Sequence, residues 1–90
     1  MTSRLEISET VVSAQLDDEM VLLDAERGIY YGLDPVGTRI WQLLDAGHDA
    51  EEIIEHLTAE YDADPGLLRA DVAAFLAQLT AQGLIRHLDG

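Results

Sequence analysis

The sequence predicts an α+β domain in which a three-stranded antiparallel sheet precedes three helices. Three observations predict it. Up to residue 33 the apolar residues fall in short β-branched or alternating segments separated by turn residues. At Asp34-Pro35 the period becomes helical, and two further capped stripes follow. Finally, a chain of ninety residues buries only roughly 60–65% of its unfolded surface. Three short helices of this kind need the sheet against them to close a core.

Taken in order, Leu5-Glu6-Ile7 alternates, and Val11-Val12-Ser13-Ala14-Gln15-Leu16 opens on β-branched residues. Asp17-Asp18-Glu19 marks a turn before Met20-Val21-Leu22-Leu23. Asp24-Ala25-Glu26-Arg27-Gly28 supplies turn chemistry, and Ile29-Tyr30-Tyr31-Gly32-Leu33 is the second arm of a hairpin. Asp34-Pro35 caps the first helix, whose buried stripe is Val36, Ile40, Leu43 and Leu44, with Trp41 beside it and Gly47 as its stop. Asp49 and Glu52 have capping-box spacing, and Ala50, Ile53, Ile54, Leu57 and Tyr61 form the second stripe. Asp64-Pro65 repeats the cap, followed by Leu68, Val72, Phe75, Leu76 and Leu79, with Gly83 as the end. Leu84-Ile85-Arg86-His87-Leu88 is a short tail that packs back on the core. Residues 1–90 read as one domain of winged-helix-like character, without linker, repeat or low-complexity segment.

Charge narrows the function classes. Five arginines and no lysine stand against 18 acidic residues, a formal net charge of −13. No Lys or Arg lies between Arg39 and Arg69. Nucleic-acid binding relies on clustered cations that displace counterions, and such a surface repels both nucleic acid and anionic lipid. The second and third helices resemble a helix-turn-helix, but a DNA reader needs donors on its recognition helix. This one offers Arg69, Asp71, Gln78 and Gln82 among alanines. A DNA-binding winged helix is therefore only a distant alternative. The longest apolar run, Val72 to Ala77, is six residues, far below the ~20 of a membrane span. Met1-Thr2-Ser3-Arg4 does not open a signal peptide. A cytoplasmic location is expected. The acidity itself reads chiefly as solubility.

Catalytic chemistry is poorly supplied. With no cysteine there is no thiol nucleophile, disulfide or thiolate metal site. Serines occur only at positions 3, 8 and 13. This argues against a carrier protein, which needs a phosphopantetheine-bearing serine at a helix start. No glycine-rich loop leads from strand to helix to cradle phosphate. No two of His48, His56 and His87 are spaced i, i+4; Glu52 and His56 share a helix face but read as a solvated pair rather than metal ligands. The carboxylates fall on polar faces and turns. The expectation is a non-enzyme without metal or cofactor.

The informative segment is Ile29-Tyr30-Tyr31-Gly32-Leu33. As the last strand of a meander it lies at a sheet edge, yet it carries none of the lysines, prolines or inward charges that blunt edges. Either Tyr30 and Tyr31 merely divide between core and surface, or the edge is open for strand addition by an extended peptide. The residues alone leave both open.

The ordered set Val21-Leu22-Leu23-Asp24, Gly28-Ile29-Tyr30-Tyr31-Gly32-Leu33, Val36-Gly37 and Ile40-Trp41 resembles the PqqD-like family, also called RiPP recognition elements. The resemblance continues through Glu51-Glu52-Ile53-Ile54, Tyr61, Asp71-Val72, Phe75-Leu76 and Gly83-Leu84-Ile85, and covers roughly residues 11–88. Asp34 departs from the family's more frequent Asn, though both cap a helix. The resemblance implies a non-catalytic domain that binds the leader segment of a ribosomally made precursor peptide and presents it to a processing enzyme. It implies that the leader adds to the strand at residues 28–33, against the helix at residues 65–82. Gly28 opens that strand, and the backbone of Ile29, Tyr30, Tyr31 and Gly32 would pair with the leader. Leu68, Val72 and Phe75 would form an apolar floor with a strand tyrosine, and Asp71 would suit a basic leader residue. Within the family, the length and the Leu-Asp-Pro-Val-Gly…Ile-Trp pattern look most like the leader-binding subunit of lasso-peptide systems. The implied partner there is a cysteine-protease-like subunit that removes the leader. The pyrroloquinoline-quinone peptide chaperone, which serves a radical-SAM enzyme, is the alternative.

Overall fold

The computed structural model describes residues 4–88 of the chain. Met1, Thr2 and Ser3, which carry the signal-peptide argument, and the last two residues of the expected 1–90 domain lie outside the described residues. The elements are β1 (Arg4–Ile7), β2 (Val11–Leu16), β3 (Glu19–Asp24), β4 (Ile29–Leu33), α1 (Pro35–Asp45), α2 (Ala50–Tyr61), α3 (Pro65–Ala81) and β5 (Ile85–Leu88). The antiparallel sheet in the order β2-β3-β4, followed by three helices, is the architecture expected from sequence. A second, two-stranded sheet accompanies it: β1 pairs antiparallel with β5, Arg4 opposite Leu88 and Ile7 opposite Ile85. The C-terminal tail therefore packs back as a strand.

The local chemistry that starts and stops each helix is present. The Asp34 carboxylate accepts the Gly37 N–H at 2.7 Å. Asp49 and Glu52 complete a reciprocal capping box at 2.9 and 3.0 Å. Asp64 accepts from Gly66 at 2.8 Å. α1 and α3 end alike. The N–H of His48 donates to the Leu43 carbonyl and that of Gly47 to Leu44; Leu84 donates to Leu79 and Gly83 to Thr80. This double hydrogen bond requires a left-handed residue, and Gly47 and Gly83 supply it at φ of 95° and 76°.

One face of the three-stranded sheet packs on the helices. Met20, Leu22 and Leu33 point inward to meet Ile40, Trp41, Leu43 and Leu44 of α1, Ile53, Ile54 and Leu57 of α2, and Val72, Leu76 and Leu79 of α3. Leu84 and Ile85 close the core from the β5 side. Two residues of the expected stripes lie elsewhere: Val36 and Tyr61 are 40% and 45% exposed. Both sit at the margin of a helical stripe, where a small rotation of the helix decides between core and surface. No described helix is long and apolar enough to cross a membrane.

Candidate functional site

β4 pairs with β3 along one side, Met20 opposite Leu33 and Asp24 opposite Ile29. Its other side has no strand partner among the described residues. Beside that open edge runs a groove of about 650 Å³, bounded by β4, the start of α1, the end of α2 and the length of α3.

The groove follows from side-chain size and helix approach. Tyr31 alternates inward from β4 opposite Leu22 and is half-buried. From α3, Leu68, Val72 and Phe75 recur with helical spacing and line the floor. Val72 is 1% exposed and belongs to the core, whereas Leu68 and Phe75 are half-buried and present part of their surface. Phe75 reaches α1 because position 37 is glycine: a Cβ there would sit 3.2 Å from the phenyl ring and 3.2 Å from the Asp34 carboxylate. Asp71 is exposed on the α3 wall, with Gln78 and Gln82 further along it. The lining is mostly apolar with a few polar groups, the composition of a site that holds a ligand by shape and orients it by hydrogen bonds.

Six of the nine residues singled out from sequence meet at the groove: Tyr31, Gly32, Leu68, Asp71, Val72 and Phe75. Gly28, Ile29 and Tyr30 do not line it. Gly28 closes the β3–β4 turn, its N–H donating to the Asp24 carbonyl at 2.7 Å. Ile29 begins β4 beyond the groove's end and is 43% exposed. Tyr30 alternates to the opposite face of the sheet and is 70% exposed. Of the three, only Ile29 and Tyr30 belong to β4 and share its open edge through their backbones. Conversely, the groove includes Val36 and Tyr61, which sequence periodicity assigns to buried helix stripes, together with Gly37. The signal for them is their place at the stripe's margin, next to a cap or a turn.

Electrostatics leave the groove free of cations. Arg69, the single basic residue of α3, pairs with Glu51 of α2, and that carboxylate holds its guanidinium pKa above the usual value. Arg39 forms a two-pronged pair with Glu60 at 2.8 and 2.7 Å, tying α1 to α2. The hydrogen bond from Arg39 lowers the Glu60 pKa, and the same bond raises that of Arg39. Arg86 pairs with Glu6 across β5 and β1. Arg27, at the hairpin tip, donates to the Gln82 carbonyl at 3.4 Å and so tethers the β4 end of the groove to the end of α3. With Arg69 engaged, the recognition helix of the DNA-reading alternative holds no free cation.

The histidines pair differently from the sequence expectation of Glu52 with His56. His48 lies 3.7 Å from Glu52 and His56 lies 4.0 Å from Glu60, each with its i+4 neighbour. The two imidazole rings tilt against each other at 4.7 Å. Among the described residues no group of three or more histidine or acidic side chains is placed to hold a metal.

Comparison with known proteins places this geometry. Residues 19–85 match the family model described as coenzyme PQQ synthesis protein D. A search among curated proteins finds no match. Among solved structures, the chain is similar to TbiB1 in complex with the TbiA(beta) leader peptide, at 44% identity, 94% of this chain and 99% of that chain, with a TM-score of 0.89. It is also similar to a lasso peptide synthetase B1 complexed with the leader peptide, at 30% identity, 91% of this chain and 96% of that chain, with a TM-score of 0.83. The matched span takes in the hairpin, all three helices and the groove between them, and on that ground the chain belongs to the PqqD family.

Proposed function

We propose that this chain is a non-catalytic recognition module that binds the leader of a ribosomally synthesised precursor peptide by strand addition and presents it to a processing enzyme. One observation carries it: an unblunted edge strand, β4, runs beside an apolar groove against α3. An extended peptide laid along β4 would satisfy the open backbone groups and drop every second side chain into the groove. The two similar solved structures, both complexes with a leader peptide, support that occupant.

In this role the backbone of Ile29, Tyr30, Tyr31 and Gly32 pairs with the leader, and Gly28 sets the turn that delivers it. Tyr31, Leu68 and Phe75 receive its apolar side chains over Val72, which is buried in the core beneath them, and Asp71 faces a basic one. Residues 1–90 act as one domain, and strand addition needs neither metal nor cofactor. The favoured partner is a protease that removes the leader, as in lasso-peptide systems, rather than the radical-SAM enzyme served by the quinone-cofactor chaperone.

Titration with a synthetic TbiA(beta) leader peptide, the ligand of the similar solved complex, tests the proposal. Saturable binding at micromolar concentration or tighter is expected. A leader N-methylated at the pairing positions should bind at least roughly tenfold more weakly, a difference of about 1.4 kcal/mol. Absence of binding overturns the reading, and indifference to N-methylation overturns strand addition.

A further inference from the structure

The sheet face turned away from the helices is apolar. Val12, Leu23 and Tyr30 stand in one cross-strand row, Ala14, Val21 and Gly32 in the next, and Leu16 opposite Glu19 in the last. Val12, Leu16 and Tyr30 are 57%, 63% and 70% exposed. An antiparallel sheet with one solvated face ordinarily alternates to polar residues on that face. Here eight outward positions carry a single charge, Glu19, in a chain of net charge −13. Gly32 has a second peculiarity. A Cβ there would meet nothing within 4 Å, so no internal packing explains a residue that weakens a strand. It borders a shallow hollow of about 380 Å³ at the end of the sheet, lined by Leu16, Met20, Val21 and Leu33 with Glu19 and Asp34 at its rim. A contiguous exposed apolar face marks an interaction site.

We infer that this outer face is the docking surface for the leader-processing enzyme, through an enzyme patch with an apolar centre and a basic rim. The inference rests on the leader-binding reading. A leader added to β4 becomes the fourth strand of the sheet, and its outward side chains stand beside Tyr30 and Gly32. A protein seated on the outer face therefore touches the leader directly. Charge selects the occupant. Asp17, Asp18 and Glu19 border one end of the face and Glu26 lies at the other, all exposed. A second copy brings the same acidic rim and the same −13 charge, which oppose self-association. A partner with lysines and arginines around an apolar patch meets both features.

The test uses the full chain, the synthetic leader that it binds and a purified leader protease of the lasso-peptide type. Val12→Glu with Leu16→Glu alters β2, the strand farthest from the leader. Leader affinity should stay within about twofold of the parent chain, while affinity of the protease for the leader-loaded chain should fall at least roughly tenfold. Val12→Thr with Leu16→Thr keeps β-propensity and should weaken the protease several-fold with an unchanged melting temperature. Unaltered protease affinity in either folded variant overturns the inference while leader binding stands. Failure of the parent chain to bind leader instead removes the reading beneath it. A parent dimer in sedimentation that the Glu variant dissolves assigns the face to a second copy, and also overturns the inference.

Discussion

Asp24 is an acid at 4% exposure in a domain whose other carboxylates are largely solvated. Its Oδ1 accepts the N–H groups of Glu26 and Arg27 at 3.1 and 3.2 Å, and Arg27 stands 3.9 Å from Oδ2. The side chain thus holds the hairpin turn that delivers β4 to the groove. Asp24→Ala should leave two backbone donors without their acceptor and destabilise the domain by roughly 1–3 kcal/mol. Asp24→Asn keeps one acceptor oxygen and should lose less, and urea unfolding of the two variants gives the comparison. The groove residues divide by burial. Val72→Ala should lower stability by about 2 kcal/mol, since Val72 lies in the core. Leu68→Ala, at a half-buried position, should leave the unfolding midpoint nearly unchanged and weaken leader binding roughly tenfold. Equal stability losses in these two variants would contradict that division. Which α3 residues are floor and which are core was not legible from spacing, because Leu68, Val72 and Phe75 occupy one helical stripe. Burial separates them: Val72 is enclosed by the core, whereas Leu68 and Phe75 are half-buried along the groove.

Among elements, the helices were the most legible in sequence and the β1–β5 sheet the least. Each helix announces itself locally: an aspartate cap, a proline at the first helical position of α1 and α3, and a glycine past the end of the same two. β5 has four residues and a partner some eighty positions away, so nothing local marks its pairing. The open edge of β4 was legible for the opposite reason: a meander's last strand is an edge by connectivity, and its lack of blunting residues is plain in the sequence. The link between α1 and α2 supplies a pH dependence. The Arg39 hydrogen bond keeps the Glu60 pKa below its unfolded value. The pair's contribution is therefore fully present above the ordinary glutamate range, near pH 4.3, and disappears as pH falls through the lowered folded value. Both side chains are about one-third exposed, at 35% and 34%, so the contribution at neutral pH is under about 1 kcal/mol. Arg39→Gln should lower stability by that small amount at pH 7 and flatten the acid limb of the pH–stability curve. Parallel acid limbs for variant and parent would show that Arg39 does not set the Glu60 titration.

For the whole molecule, net charge and affinity separate. A charge of −13 on ninety residues destabilises the compact state by self-repulsion. Raising ionic strength from 0.01 to 0.15 M shortens the screening length from about 30 Å to about 8 Å, less than the 12.8 Å radius of gyration. The melting temperature should therefore rise with salt over that range. Leader binding should respond differently. Arg27, Arg39, Arg69 and Arg86 are each paired with an acid of the chain, and the groove wall offers Asp71 beside an apolar floor. In the proposed binding mode, backbone pairing and apolar burial supply most of the affinity, and neither depends on screened long-range charge. Over the same salt range the leader's dissociation constant should change by less than about threefold, with the remaining slope removed by Asp71→Asn if a basic leader residue faces that carboxylate. A loss of tenfold or more with salt would make the acidic surface the main source of affinity and reduce the groove to a positioning role.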